Sequence, residues 1–350
     1  MARFNNLQVL RIIAAAAIVV MHLGSFSELC FSHRPAPLDA LDESALGKGV
    51  GLFFCLSGFV IMHSLRSSSP GRFLAARWLR IYPAYWLAVL LAIAARAAVG
   101  GIVPPIDRQF FYGLTLWPGS RPETFVLGVE WTLVFEVFYY TTLAALAYLG
   151  GRRLVVIAGS VWLIVCVTRL CLSPERAIEP FPGLHRIGMS AHNIPMLLGV
   201  MLYLCKDRGQ QLRPFLLPLA AAGLLLSHTT LFGIAPTYLA ESAAFAAIVW
   251  FAVLSPQANH DALLVRFGDW SYGLYLMHTT VIVVAYYLLL LNSRPLKDGF
   301  IYWVGALAIL IGLAFGALEI RVYRLLVDQL LGSRARPAGI TSAEPPARAA

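Results

Sequence analysis

Residues 7–26 read LQVLRIIAAAAIVVMHLGSF, and two ionisable side chains, Arg11 and His22, stand inside this apolar run. About 20 apolar residues make a helix long enough to cross a bilayer. A charged side chain at the centre of such a helix costs roughly 2.5–3.5 kcal/mol even on lenient insertion scales, so one that is retained marks a functional site by default. From Arg11 to His22 the chain advances ~11 residues at about 100° each and returns to within ~20° of its starting direction, which puts both side chains on one helix face. They stand about 16 Å apart along the axis, roughly half the hydrocarbon thickness. A guanidinium and an imidazole so placed line a path for something anionic or proton-linked.

The rest of the chain repeats the pattern. It has 350 residues, 59% hydrophobic and 13% charged, with a mean hydropathy of +0.72; soluble domains average about a quarter charged. A secretory signal peptide accounts for one apolar run but not for many, so residues 7–26 are read as a retained first span. The expectation is an all-α, polytopic membrane helix bundle of about ten spans, near 7–26, 47–65, 82–100, 126–149, 154–172, 190–205, 214–232, 237–254, 271–291 and 301–327. The sixth is short, and Pro195 marks it as tilted or broken. Connections are short, and no soluble domain, low-complexity insert or internal repeat stands out. Residues 1–331 are expected to form one membrane domain, and the Pro/Ala/Arg-rich stretch 332–350 a disordered cytoplasmic tail.

Basic residues set the orientation. Arg66, Arg72, Arg77 and Arg80 fall in the second loop, Arg152 and Arg153 in the fourth, and Lys206, Arg208 and Arg213 in the sixth. The C-terminal segment carries Arg321, Arg324, Arg334, Arg336 and Arg348, whereas the first loop holds Glu28, Asp39, Asp42 and Glu43. The positive-inside rule then makes both termini cytoplasmic, with Arg169, Arg176 and Arg186 as a mild exception. The net charge of +9 is explained by attraction to anionic lipid at the inner leaflet, and no soluble basic domain invites nucleic acid. The five cysteines, Cys30, Cys55, Cys166, Cys171 and Cys205, show no CxxC or metal-ligand spacing. They read as small apolar residues, and no metal is expected.

Four further stretches carry chemistry. In GVGLFFCLSGFVIMHSL (49–65), Gly51 and Gly58 share a face with Ser57 beside them; the pattern suits close helix packing and equally a ligand-facing wall. In FLAARWLRIYPAYW (73–86), Arg77 and Arg80 lie three apart and project from one side of a short helix, and Pro83 permits a turn into the third span. With Arg72 they suit phosphate, which the guanidinium fork binds through two hydrogen bonds; plain anchoring at lipid headgroups is the competing reading. EWTLVFEVFYY (130–140) places Glu136 within the apolar run, with Tyr140 one turn later and Trp131 near the outer end. Glu136 could pair with His22 or an arginine, while Glu130 is expected nearer the boundary and solvated. GDWSYGLYLMHTTVI (268–282) brings Ser271, Tyr272, Tyr275 and His278 to the cytoplasmic end of the ninth span. His185, His192 and His228 are expected in solvated outer loops.

Taken together and in this order, these motifs resemble the membrane acyltransferase-3 family, integral-membrane O-acyltransferases of bacterial surface carbohydrates. Arg11 and His22 match its basic-residue, ten-residue, histidine signature. GVGLFFCLSGFVI, RWLRIYPAYW, WTLVFEVFYY and SYGLYLMH resemble its later motifs. Gly51 stands where many members carry a polar residue, and Thr132 where serine is common. The resemblance implies a multi-pass protein of the bacterial inner membrane. It implies an acyl-CoA donor, by preference acetyl-CoA, used from the cytoplasmic side, and a carbohydrate or lipid-linked sugar acceptor. Arg77 and Arg80, with Arg72, would hold the CoA phosphates, and Arg11 would guide the donor inward. His22 would deprotonate the acceptor hydroxyl, an acyl-histidine relay being the variant, and Glu136 would orient His22. Ser271, Tyr272, Tyr275 and His278 would line the donor entrance, and Ser57, Gly58, Trp131 and Tyr140 would contact substrate. The competing class is a proton-coupled transporter or a polysaccharide flippase, which internal repeats would favour.

Overall fold

A computed structural model describes residues 4–32, 34, 36–39, 46–101, 103–119, 125–229 and 232–332. The secondary structure described is helical, as an apolar chain requires when its backbone has no water to bond. Among the described residues ten helices of eight or more residues follow in order: α1 (Asn5–Phe31), α2 (Gly49–Leu65), α3 (Pro70–Ala98), α4 (Arg108–Thr115), α5 (Glu130–Leu172), α6 (Asn193–Leu204), α7 (Arg213–Ser227), α8 (Ile234–Leu254), α9 (Leu263–Leu291) and α10 (Asp298–Leu331). Six of them (α1, α3, α5, α8, α9 and α10) are long and apolar enough to cross a membrane. Each of the ten expected segments overlaps a helix, but α2 and α6 are short apolar helices. The expected tail from residue 333, and Asp42 and Glu43, lie outside the described residues.

Two local expectations are corrected and one is borne out. The basic segment does not turn at Pro83: it is the first half of α3, which runs unbroken through that proline. Proline removes one backbone hydrogen bond and strains the preceding turn, and α3 continues beyond it for four turns. The expected fourth and fifth spans both lie in α5 and are divided as expected, because the backbone between them is non-helical at Gly150 and Gly151. Gly151 has φ +63° and ψ −165°, a conformation open only to glycine. Pro195 does not break α6 but lies in its first turn, where its missing N–H is least costly.

Glycines bring helices into backbone contact. A Cβ on Gly58 of α2 would collide with the Met196 carbonyl of α6, and one on Gly199 of α6 with the Cys55 carbonyl of α2. Gly268 of α9 sits against the Gln8 backbone of α1, and Gly273 and Gly316 meet where α9 crosses α10. Small residues permit this approach, and van der Waals contact then holds the pair where lipid supplies no hydrophobic drive. The largest apolar core spans α1, α2, α3, α5, α6 and α9, with Phe59, Phe135, Tyr139 and Tyr85 fully enclosed. Cys55 and Cys166 are buried in it, whereas Cys171 and Cys205 are exposed.

Candidate functional site

A small cleft of about 50 Å³ opens where α1, α2, α5 and α9 converge, bordered by Arg11, Ser57, Thr132, Glu136, Ser271, Tyr272 and Tyr275. A second cavity adjoins it, sharing Arg11, Ser57 and Glu136 and bordered also by Gln8, Arg77 and Tyr140. The cleft thus gathers polar groups from four otherwise apolar helices.

Glu136 is held from two helices. Its Oε1 accepts hydrogen bonds from Ser57 Oγ at 3.2 Å and from Tyr140 OH at 2.7 Å. The Tyr140 bond spans one turn of α5, as i,i+4 spacing allows. The Arg11 guanidinium lies within the electrostatic reach of Glu136 and of Asp269 but makes no ion pair or side-chain hydrogen bond among the described residues. A cation left with open donors beside a cleft can take an anion. Arg77 borders the adjoining cavity from α3, donating to Ser64 Oγ at 2.8 Å and lying over the rings of Phe73 and Tyr140.

The arginines of α3 do not act as one cluster. Arg80 forms a buried ion pair with Glu319 of α10 and is flanked by the rings of Tyr272 and Tyr323. Its guanidinium is therefore engaged in the α3–α10 seam and not free for phosphate, contrary to the expectation. Arg72 donates to the Leu331 carbonyl at 3.3 Å, at an exposed position. Residues three apart on a helix differ by about 60° in direction, enough to send Arg77 toward α2 and α5 and Arg80 toward α9 and α10. Glu319 was not singled out in the sequence. Its one signal is a carboxylate within the last long apolar helix.

The α9 residues divide as well. Tyr275 shares a 2.6 Å hydrogen bond with Thr132 Oγ1 of α5. Tyr272 donates to the Ile81 carbonyl at 3.2 Å, and Ser271 Oγ turns back to the Gly268 carbonyl at 2.7 Å. All three border the cleft. His278 does not. It is fully buried and meets His22, Nδ1 of His22 lying 2.9 Å from Nε2 of His278. His22 is thus partnered by His278 and not by Glu136, contrary to the expectation that Glu136 orients it. Glu136 stands at the level of Arg11, and the rise of α1 carries His22 about 16 Å beyond that level.

Other expectations are corrected by packing. Gly58 touches α6, not the cleft. Trp131 faces away from the cleft toward Phe135, Phe181 and His192. His192 is not solvated: it is half-buried, with Tyr238 OH 3.1 Å from Nδ1 and the Ile178 carbonyl 3.1 Å from Nε2. Glu130 is fully buried, accepting from the Leu127 N–H at 2.7 Å at the positive end of its own helix. His185 and His228 are exposed. Among the described residues no three His, Cys, Asp or Glu side chains stand together as a metal site.

Comparison with known proteins adds the chemistry. A family model described as an acyltransferase domain matches residues 4–319. Exopolysaccharide production protein ExoZ of Rhizobium meliloti (strain 1021) is 26% identical over 261 residues, 67% of this chain and 76% of that protein. Acyltransferase MdmB of Streptomyces mycarofaciens is 26% identical over 324 residues, 80% of this chain and 79% of that protein. Nodulation protein 10 of Rhizobium leguminosarum bv. viciae is 29% identical over 171 residues, 42% of this chain and 45% of that protein. No solved structure matches the chain.

Proposed function

Because the chain belongs to the acyltransferase family whose domain spans residues 4–319, we propose that it moves an acyl group, by preference acetyl, from acyl-CoA to a carbohydrate hydroxyl at the bacterial inner membrane. The carrying observation is the cleft in which the open guanidinium of Arg11 faces Glu136, with His22 on the same helix farther along. The relative named for exopolysaccharide production supports a carbohydrate acceptor, free or lipid-linked.

In this reading Arg77 and Arg11 receive the anionic end of acyl-CoA from the cytoplasmic side, with Arg72 at the rim. Arg80 has a structural part, because Glu319 already neutralises it. Glu136, fixed by Ser57 and Tyr140, balances the charge of Arg11 and keeps the guanidinium in the cleft. The flexible pantetheine arm reaches from the arginines toward His22. There the imidazole takes the proton of the acceptor hydroxyl as its oxygen attacks the thioester carbonyl. The C–S bond then breaks, and the imidazolium returns the proton to the departing thiolate. An ester and free CoA result, with no metal required for the balance.

The test is turnover of acetyl-CoA by purified protein in nanodiscs, read as CoA release with and without a sugar acceptor. Wild type should turn over, and His22→Ala should lose roughly 10²–10⁴-fold, the usual contribution of a general base. The Arg11→Ala and Arg77→Ala variants should bind acyl-CoA more weakly. Absence of turnover together with no thermal stabilisation by acyl-CoA would reject the reading, since a ligand that binds the folded protein must stabilise it.

A further inference from the structure

We propose that His278 is a positioning residue that holds His22 in the tautomer whose Nε2 is free to accept a proton. The inference rests on the reading of His22 as the base and deepens it. It starts from a carbonyl. Nδ1 of His278 lies 3.0 Å from the Leu274 carbonyl oxygen, and a carbonyl can only accept, so Nδ1 of His278 carries the hydrogen.

A neutral imidazole has one N–H, so Nε2 of His278 presents a lone pair. That lone pair lies 2.9 Å from Nδ1 of His22, so Nδ1 of His22 must be the donor. The hydrogen of neutral His22 is therefore placed on Nδ1, and Nε2 is left basic. Nε2 of His22 makes no hydrogen bond among the described residues, and it is not one of the atoms sealed in the core. Among the described residues no carboxylate contacts either ring. The cation that would reverse the chain of donors thus has no counter-charge.

Packing fixes the geometry. The rings of His22 and His278 stand 5.1 Å apart at 33°, with Phe26 at 5.7 Å from His22 and Tyr275 at 5.8 Å from His278. The Gly268 contact with the Gln8 backbone clamps α9 to α1. This arrangement does what a buried carboxylate does for imidazole in a hydrolytic triad, but with a neutral acceptor. Histidine free in water prefers its hydrogen on Nε2, the form that cannot act here, so the partner has work to do.

The test joins spectroscopy to kinetics. The protein is labelled with ¹⁵N-histidine and reconstituted in lipid bilayers. His22 is assigned by difference against His22→Gln in solid-state NMR, in which protonated and bare ring nitrogens are well separated. The expected result is a protonated Nδ1 and a bare Nε2 on His22. His278→Leu removes the acceptor, while His278→Gln keeps an amide oxygen near the position of Nε2. His278→Leu should shift His22 toward the Nε2–H form and lower kcat by at least ~10-fold, with KM for acetyl-CoA within about twofold, the pattern of a defect confined to proton transfer. His278→Gln should restore much of both signals. A protonated Nε2 on His22 in wild type, or unchanged kcat in a folded His278→Leu, would overturn the proposal. If His22→Ala itself keeps full turnover, the base reading fails. If His22→Ala is dead but the wild-type tautomer is the other one, only the positioning role fails.

Discussion

The ion pair between Arg80 and Glu319 separates two roles for the basic helix. If Arg80 served the donor, removing Glu319 would free it and tighten acyl-CoA binding. If the pair is structural, the same change leaves a cation stranded between apolar helices. The side chains are 14% and 4% exposed, and breaking such a buried pair from one side costs about 3–5 kcal/mol. In Glu319→Gln the amide oxygen still accepts, and the faces of Tyr272 and Tyr323 offset roughly 0.5–2 kcal/mol by cation–π attraction. The net expectation is a loss of about 2–3 kcal/mol, or some 30- to 150-fold in the unfolding equilibrium. Arg80→Met alone leaves a bare carboxylate and should cost more. The joint substitution Arg80→Met/Glu319→Leu should recover most of the loss, because a well-packed apolar pair can replace a buried ion pair at little cost. Thermal unfolding in detergent, run beside acyl-CoA titrations, reads both quantities. The reasoning is refuted if Glu319→Gln keeps wild-type stability and binds donor more tightly, or if Arg80→Met abolishes donor binding while stability is unchanged.

Tyr140→Phe removes a charge-assisted bond to Glu136, of a kind that contributes about 1.5–3 kcal/mol; turnover should fall by roughly 10- to 150-fold if the full amount reaches the transition state, and Ser57→Ala, whose bond is longer, should lose less. A methyl added in Gly58→Ala has to part α2 from the α6 backbone, so a stability loss of about 1–3 kcal/mol is expected, with KM for acyl-CoA unchanged by steady-state kinetics. Trp131→Ala should lower the thermal midpoint, since truncating a packed aromatic costs roughly 3–5 kcal/mol, yet leave donor affinity in calorimetric titration at the wild-type value.

Much of the site was legible before any coordinates. Ionisable and hydroxyl groups are costly among apolar helices, so Arg11, Ser57, Glu136, Tyr140 and the tyrosines of α9 stood out, and each borders the cleft or the cavity adjoining it. The helical segments were legible for a related reason: long apolar runs have few alternatives to a helix in lipid. Pairing was not legible. Arg80 meets Glu319 and His22 meets His278 across more than two hundred residues of chain. Which helix faces which, and at what depth, is set by crossing geometry that periodicity along one strand of sequence does not carry. Gly58 shows the same limit, since a small residue reads alike whether a ligand or another backbone approaches it. Pro83 misled because its cost is local, whereas the packing that keeps α3 straight is distributed along the helix.

The glycine contacts also have a mechanical consequence. Backbone-to-backbone crossings join α1 to α9 and α9 to α10 through Gly268, Gly273 and Gly316, and join α2 to α6 through Gly58 and Gly199. Contacts of this kind resist sliding, because any shear drives main-chain atoms into one another. The bundle therefore contains two close-packed plates, α1–α9–α10 and α2–α6, which also touch where Gly49 of α2 meets the Ala14 carbonyl of α1, and the cleft is bordered by both. A movement that widened the cleft for a bulky nucleotide would load that boundary, where Ser57 of one plate reaches Glu136 of α5 through a 3.2 Å hydrogen bond. The two imidazoles, carried on α1 and α9 within a single plate, would ride through such a movement without changing their separation.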